Sequence, residues 1–262
     1  MIQLLSFFIS QFFRVSIVFE TIDSLKNKLD AQRPLSSSVV KNLQEDLILR
    51  WTYHSNAIEG NRLTLLETKV VLEGITVGSK ALREHFEAIN HRNAIYYVED
   101  IIKKEEPFSE WQIRNIHQLI LKNIDDDNAG RYHQQNVLIS GATHTPPDYT
   151  LLNDKMAHLV DWYNSESSQL HPIERAAKVH ADFVGIHPFI DGNGRTSRLL
   201  MNLELMKAGY PPCVITVEKR LAYYEALDQW MAFGKTGAFN QLVADAVLEG
   251  FKPYQVVLGI RA

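Results

Sequence analysis

Cys213 is the only cysteine among 262 residues. No intrachain disulfide can form, and the expected compartment is a reducing one, the cytoplasm. The chain also has no Asn-x-Ser/Thr sequon, which agrees with that placement. Basic blocks are missing and the net charge is −4, so the face that a nucleic-acid backbone demands is not provided. There is no internal repeat and no low-complexity linker. A clean membrane-length run is missing too. Ile2 to Phe19 is apolar and aromatic, but Gln3, Gln11, Arg14 and several serines interrupt it. It is short for a span and has an arginine near its centre. Without a basic leader or a small-x-small cleavage site it does not read as a signal peptide. The expected reading is a packed element or a poorly chosen start codon, with membrane attachment as the alternative.

The rest of the composition is ordinary, 45% hydrophobic and 22% charged, enough for a substantial core. Nearly every segment has helical period. The spacing predicts helices over Val39 to Tyr53, Leu82 to Lys104, Thr150 to Asn164, Pro172 to Ile186, Thr196 to Lys207, Lys219 to Met231 and Ala238 to Leu248. Two capping boxes, Thr64 to Glu67 and Ser109 to Gln112, open helices that end at Leu72 and Asn123. The exception is Gln135 to Ser140, where Val137, Leu138 and Ile139 have β character before Gly141. An all-α fold with a short β-hairpin flap is the expectation. The segments are 1–38, an N-terminal extension; 39–80, a helical segment; 81–250, the core; and 251–262, a tail.

Chemistry concentrates in His187-Pro-Phe-Ile-Asp-Gly-Asn-Gly-Arg-Thr-Ser-Arg198. An imidazole can take a proton near neutral pH. The carboxylate of Asp191 suits a hard cation such as Mg²⁺, which prefers oxygen ligands and substrate phosphates. Gly192 and Gly194 let backbone N–H groups approach an anion, and Asn193 lies between them. Arg195 and Arg198 offer planar, multi-donor phosphate contacts. The run falls in the turn between two predicted helices, where free N–H groups and the helix dipole favour an anion. Singly, each residue has a common reading: His187 a polar cap, Asp191 a turn residue, Asn193 an N-cap, the arginines surface ion pairs. The histidines His85, His91, His171 and His180 lack the i, i+4 spacing of zinc motifs. Tyr223, Tyr224 and Trp230 read as core aromatics rather than a ligand platform.

The run resembles the Fic (filamentation induced by cAMP) family motif, H-x-F-x-[D/E]-G-N-G-R-x-x-R, with no departure at His187, Phe189, Asp191, Gly192, Asn193, Gly194, Arg195 or Arg198. Ala129 to Tyr132, His144 to Pro147, Leu170 to Pro172 and Ala208 to Pro212 are similar to other recurring family segments. The resemblance covers roughly Tyr53 to Val247 and implies a Fic-type helical domain that transfers AMP from ATP to a Ser, Thr or Tyr hydroxyl of a protein. It implies His187 as the base, Asp191 as the Mg²⁺ ligand, and Gly192, Asn193, Gly194, Arg195 and Arg198 as the ATP site. Val137, Leu138 and Ile139 would be the flap that docks the target. Self-modification and a homodimer are part of what the family implies.

Ser55-Asn-Ala-Ile-Glu59-Gly-Asn61 resembles the family's inhibitory pattern, [S/T]-x-x-x-E-[G/N], placed before the core. On this resemblance Glu59, with Ser55 in the same helix, would occupy Arg198 and misalign the γ-phosphate. A rival keeps the site and reverses the outcome, with Glu59 and His187 hydrolysing AMP from a modified protein. A more distant rival is a regulatory protein that binds a nucleotide as a signal, against which the intact motif argues.

Overall fold

The computed structural model describes residues 18–260, and the chain between them is helical with no strand among the described residues. A first helix, α1, covers 18–30. It is followed by α2 (Ser37–Ile58), α3 (Leu65–Leu72), α4 (Leu82–Lys103), α5 (Glu110–Leu121), α6 (Leu152–Ser165), α7 (Pro172–Ile186), α8 (Asn193–Lys207), α9 (Arg220–Phe233) and α10 (Gly237–Leu258). One hydrophobic cluster runs from Ile22 on α1 to Phe251 on α10. Most of the apolar N-terminal run lies outside the described residues. Among the described residues no helix is long and apolar enough to cross a membrane.

Local signals account for many boundaries. Thr64 Oγ1 accepts from Glu67 N while the Glu67 carboxylate accepts from Thr64 N, closing the expected capping box. Ser109 caps α5, although only the Ser109-to-Gln112 half of the expected box is formed. Pro172 stands at the start of α7, where its missing N–H costs nothing.

Helix α8 departs most from a surface helix. The sequence suggests one apolar side, yet Asn193 and every residue from Arg195 to Leu205 are buried. A helix enclosed on all sides must satisfy its polar residues internally. Asn202 exchanges two hydrogen bonds with the Cys213 backbone, at 2.8 Å each. Glu204 accepts from Arg175 Nε at 2.5 Å and from the Tyr163 hydroxyl.

Three expectations need correction. Helix α2 runs to Ile58 rather than stopping near Tyr53, because Thr52, Ser55 and Asn56 are buried polar residues that pack inward instead of ending the helix. Helix α10 continues through Gly250 and Pro253 to Leu258. Gly250 is needed where it stands, since a Cβ there would come within 2.7 Å of the Pro212 carbonyl. The hairpin expected around Val137 to Ile139 is not formed. Those residues are irregular, and the nearby polar groups bond elsewhere: Asn136 to Asp148 at 2.9 Å, and the Thr143 and His144 amides to Asp228 at 2.8 and 3.0 Å.

Candidate active site

The loop between α7 and α8 is fixed from several sides. His187 closes α7 in the left-handed region, at φ 51°, with its N–H donating to the Phe183 carbonyl at 3.0 Å. Phe189 is fully buried and stacks on His117 with ring centroids 3.5 Å apart and planes 3° apart. Asn193 uses both ends of its carboxamide on the Phe189 backbone, accepting at 3.1 Å and donating at 2.7 Å. That side chain is therefore a staple of the loop. Gly192 is the N-cap of α8 at φ 80°, and no side chain caps the terminus. The first-turn N–H groups of α8 thus have no intrahelical acceptor, and the dipole there favours negative charge.

Burial pushes the His187 imidazole down to about 4, helped by His133 and His144 and opposed by the Val184 carbonyl and Glu59. Its ring is neutral at neutral pH, as a proton acceptor must be. His133 braces the same residue, donating from its backbone N–H to the Pro188 carbonyl and from its ring to the His187 carbonyl, both at 3.1 Å.

Asp191 has both carboxylate oxygens engaged. Oδ1 accepts from Gly192 N at 2.6 Å and Arg195 Nη2 at 3.0 Å, and Oδ2 accepts from Arg83 Nη2 at 2.6 Å. Burial alone would raise this carboxyl; Arg195, the Gly192 amide and Arg83 more than offset it and hold it below the usual range. Glu87, one turn beyond Arg83 on α4, accepts from Arg83 Nε at 3.1 Å and faces Arg195 Nη1 at 3.6 Å. Two acids and two arginines close a ring. Within it, Nε and Nη1 of the buried Arg195 have no hydrogen-bond acceptor. Buried donors left unmade cost about 1–3 kcal/mol each, so this geometry suits an incoming anion.

Arg198 is nearly saturated. Its Nε donates to Ser55 Oγ at 3.0 Å, Nη2 to the Ser55 carbonyl at 2.8 Å and Glu59 Oε1 at 2.7 Å, and Nη1 to the Tyr223 hydroxyl at 3.2 Å. Glu59 is the C-cap of α2, followed by Gly60 at φ 97°. Asn61 then ties the chain to α4, donating to the Glu84 carbonyl at 3.0 Å and Glu87 Oε2 at 2.8 Å. The Glu59 carboxylate leans over the start of α8. A Cβ on Gly194 would overlap it and would stand 3.2 Å from Arg198 Nη1. Burial drives His91 and His180, both influenced by Arg198, well below the usual imidazole value, so they add no charge beside it.

The structure therefore brings together His187, Asp191, Gly192, Asn193, Gly194, Arg195, Arg198, Glu59 and Ser55. Val137, Leu138 and Ile139 lie in the irregular segment, with Leu138 82% exposed. Sequence reasoning missed Arg83, Glu87, His117 and His133 as contributors. It read Tyr223 only as core. That residue is buried, and its hydroxyl also meets Arg198 and His180. The i, i+4 pairing of Arg83 with Glu87 was a local signal; the others had none.

Comparison with known proteins agrees with this geometry. The Fic/DOC family profile matches residues 107–205. Protein adenylyltransferase Fic of Nematostella vectensis is 40% identical over 215 residues, covering 81% of this chain and 50% of that protein. Protein adenylyltransferase fic-1 of Caenorhabditis briggsae is 36% identical over 214 residues, covering 80% and 41%. Among solved structures, Fic-1 (residues 134–508) from C. elegans superposes with a TM-score of 0.84 at 30% identity, covering 94% of this chain and 73% of that one. A Fic domain containing signaling protein from Bacteroides thetaiotaomicron gives 0.83 at 30% identity, covering 92% and 97%. The all-α fold and the His187 to Arg198 loop place the chain among the Fic-type helical proteins. It belongs to the Fic/DOC family. The chain spans about half, or somewhat less, of the length of the adenylyltransferases named above.

Proposed function

We propose that this chain is a protein adenylyltransferase that moves AMP from ATP to a side-chain hydroxyl of a protein. The observation that carries the reading is a neutral imidazole at His187 beside a helix N-terminus with uncapped amides and a buried Arg195 whose Nε has no acceptor. The adenylyltransferase names of the relatives support it. His187 takes the proton from the target hydroxyl, the oxygen attacks the α-phosphorus, and pyrophosphate leaves. Arg195, Arg198 and the amides of Gly192 and Gly194 stabilise the phosphates, so catalysis rests on alignment and charge. The flap at Val137 to Ile139 receives the target as an extended segment, a role that the exposed Leu138 suits.

Mg²⁺ fits the site as a partner of ATP. Among the described residues no cluster of three or more His, Cys, Asp or Glu side chains could hold a metal alone. Asp191 nonetheless offers a hard oxygen, and Mg²⁺ commonly binds through one carboxylate plus substrate phosphates. Asp191 would hold the ion once Arg83 yields Oδ2. When bound, it would offset phosphate charge.

Glu59 keeps the enzyme inhibited by occupying Arg198. A second reading, removal of AMP from a modified protein, is favoured by one observation: the Glu59 carboxylate lies over Gly194, in the loop that His187 opens. The compartment proposed is the cytoplasm, consistent with a single, buried Cys213. The experiment is incubation with α-labelled ATP and a cell lysate, comparing wild type, Glu59→Gly and His187→Ala. Label on protein with Glu59→Gly and none with His187→Ala supports transfer. No label with any form, together with release of AMP from modified protein by wild type, overturns it.

A further inference from the structure

One fully buried contact of the loop is with a residue outside it. His117, fully buried on α5, touches the loop in two ways and the turn at Gly130 in a third. Its ring lies flat against Phe189. Its Nδ1 meets the Gly130 backbone N–H at 2.9 Å, and its Nε2 meets the Asp191 carbonyl at 2.8 Å. An amide can only donate and a carbonyl can only accept. Nδ1 is therefore the acceptor, Nε2 carries the proton, and the tautomer is fixed by its two partners. The fit is close on every side. A Cβ on Gly192 would come 3.2 Å from the His117 ring, and one on Gly130 would come 3.0 Å from the Arg114 carbonyl. Both glycines have positive φ, 80° and 71°. The imidazole thus bridges two turns: the one at Gly130, from which the chain leads to the flap segment, and the one that opens α8.

We propose that His117 is a positioning residue for AMP transfer. By gripping the Asp191 carbonyl it sets the plane of the peptide between Asp191 and Gly192. That plane aims the Asp191 carboxylate and the start of the α8 amide cradle at the phosphates. Through Gly130 it holds the turn that leads to the flap in register with that cradle. It does not touch the reacting atoms and exchanges no proton with them. The inference rests on the transferase reading given above.

Two substitutions separate positioning from packing. Asparagine at 117 places its amide near the Nδ1 position and can still reach Gly130. Glutamine places its amide near the Nε2 position and can still reach Asp191. Both lose the aromatic stack, so a purely structural role would affect them alike. Each is made in the Glu59→Gly background to give measurable turnover, and melting temperature is recorded for both. The expected result is that His117→Asn lowers kcat at least about tenfold while KM for the protein target stays within about twofold, and that His117→Gln recovers most of kcat. Hydrogen exchange of the peptide spanning 187–198 should quicken in His117→Asn, at the Phe189 and Thr196 amides that report the turn. Equal kcat in the two variants, or a kcat in His117→Asn equal to its parent, overturns the proposal. So does unchanged exchange in His117→Asn. If Glu59→Gly itself transfers no AMP, the function reading fails, and the exchange measurement, which needs no turnover, still decides whether His117 orients the turn.

Discussion

Arg198 Nη2 stands 2.7 Å from Glu59 Oε1, and the same guanidinium is held by Ser55 through both its hydroxyl and its carbonyl. The proposed lock would therefore be a helix end and not a lone side chain. Removing the carboxylate releases only part of the grip. A charge-assisted hydrogen bond of this kind is worth on the order of 1.5–3 kcal/mol, less where one partner faces solvent, as Glu59 does. Glu59→Gly should raise AMP transfer by about tenfold or more, seen first as self-modification with labelled ATP. Arg198→Ala in the same background should lose the gain. Unchanged transfer with lost removal of AMP would instead make Glu59 a hydrolytic residue.

His187→Ala should abolish transfer while nucleotide affinity, followed by calorimetry, stays within a few-fold. Loss of a general base typically costs ~10²–10⁴ in rate. Near-wild-type transfer by the purified variant would remove His187 from that role.

The pH dependence of the same group follows from its burial. With the imidazole pushed down to about 4, the base form is already full at pH 6. The kcat/KM profile of Glu59→Gly should be flat in this group from about pH 6 to 8 and should not fall near the ordinary histidine value. A break near 6.5 would show that His187 is solvated in the working enzyme.

Stability should follow the histidines too. His117 and His187 titrate at about 4 in the folded chain, and His91 and His180 well below their ordinary 6.5. Between those limits the unfolded chain binds more protons than the folded one. The contribution of these groups is complete above about pH 6.5 and declines as pH falls toward 4. Urea midpoints at pH 7.5, 6 and 5 should fall in that order. Equal midpoints would contradict the burial of these rings.

On the proposed role of Asp191, Arg83 and a divalent cation would compete for one of its oxygens. Arg83→Gln should lower the Mg²⁺ concentration for half-maximal transfer about two- to fivefold, a modest effect because the arginine is 57% exposed. Direct Mn²⁺ binding, measured by electron paramagnetic resonance, should tighten in parallel. Asp191→Ala, or EDTA, should remove transfer altogether. Metal-independent turnover would leave Asp191 with a turn role only.

The parts of this molecule legible in its sequence are those that act over a few residues. The cap at Thr64, Pro172 at the head of α7 and the turn at Gly192 each leave a local mark, and each is where it was expected. The Fic motif is equally local, so its residues could be named together. What was hidden depends on distant partners. Nothing near Tyr53 tells that α2 continues, because the reason is the burial of Ser55 and Asn56 against elements far along the chain. His117 lies 74 residues from the carbonyl it holds, and no periodicity marks it. The helical period of α8 suggested an exposed side, but enclosure by neighbouring helices overrode it. The flap failed as a strand for a related reason: β propensity needs a partner strand, and the described residues supply none.

The missing side chain of Gly194 leaves one open approach to the start of α8. The space beside its α-carbon admits the Glu59 carboxylate, and on the proposed function a nucleotide phosphate would use the same approach to the α8 backbone. A larger residue there would displace the Glu59 carboxylate and, on the proposed function, would crowd the phosphates as well. Mutation at this position therefore offers no route to an unlocked enzyme, and selection for higher activity must act on the far side of the latch, where α2 ends. On the proposed reading, safety catch and firing chamber would share one wall, tying the persistence of restraint to that of the reaction.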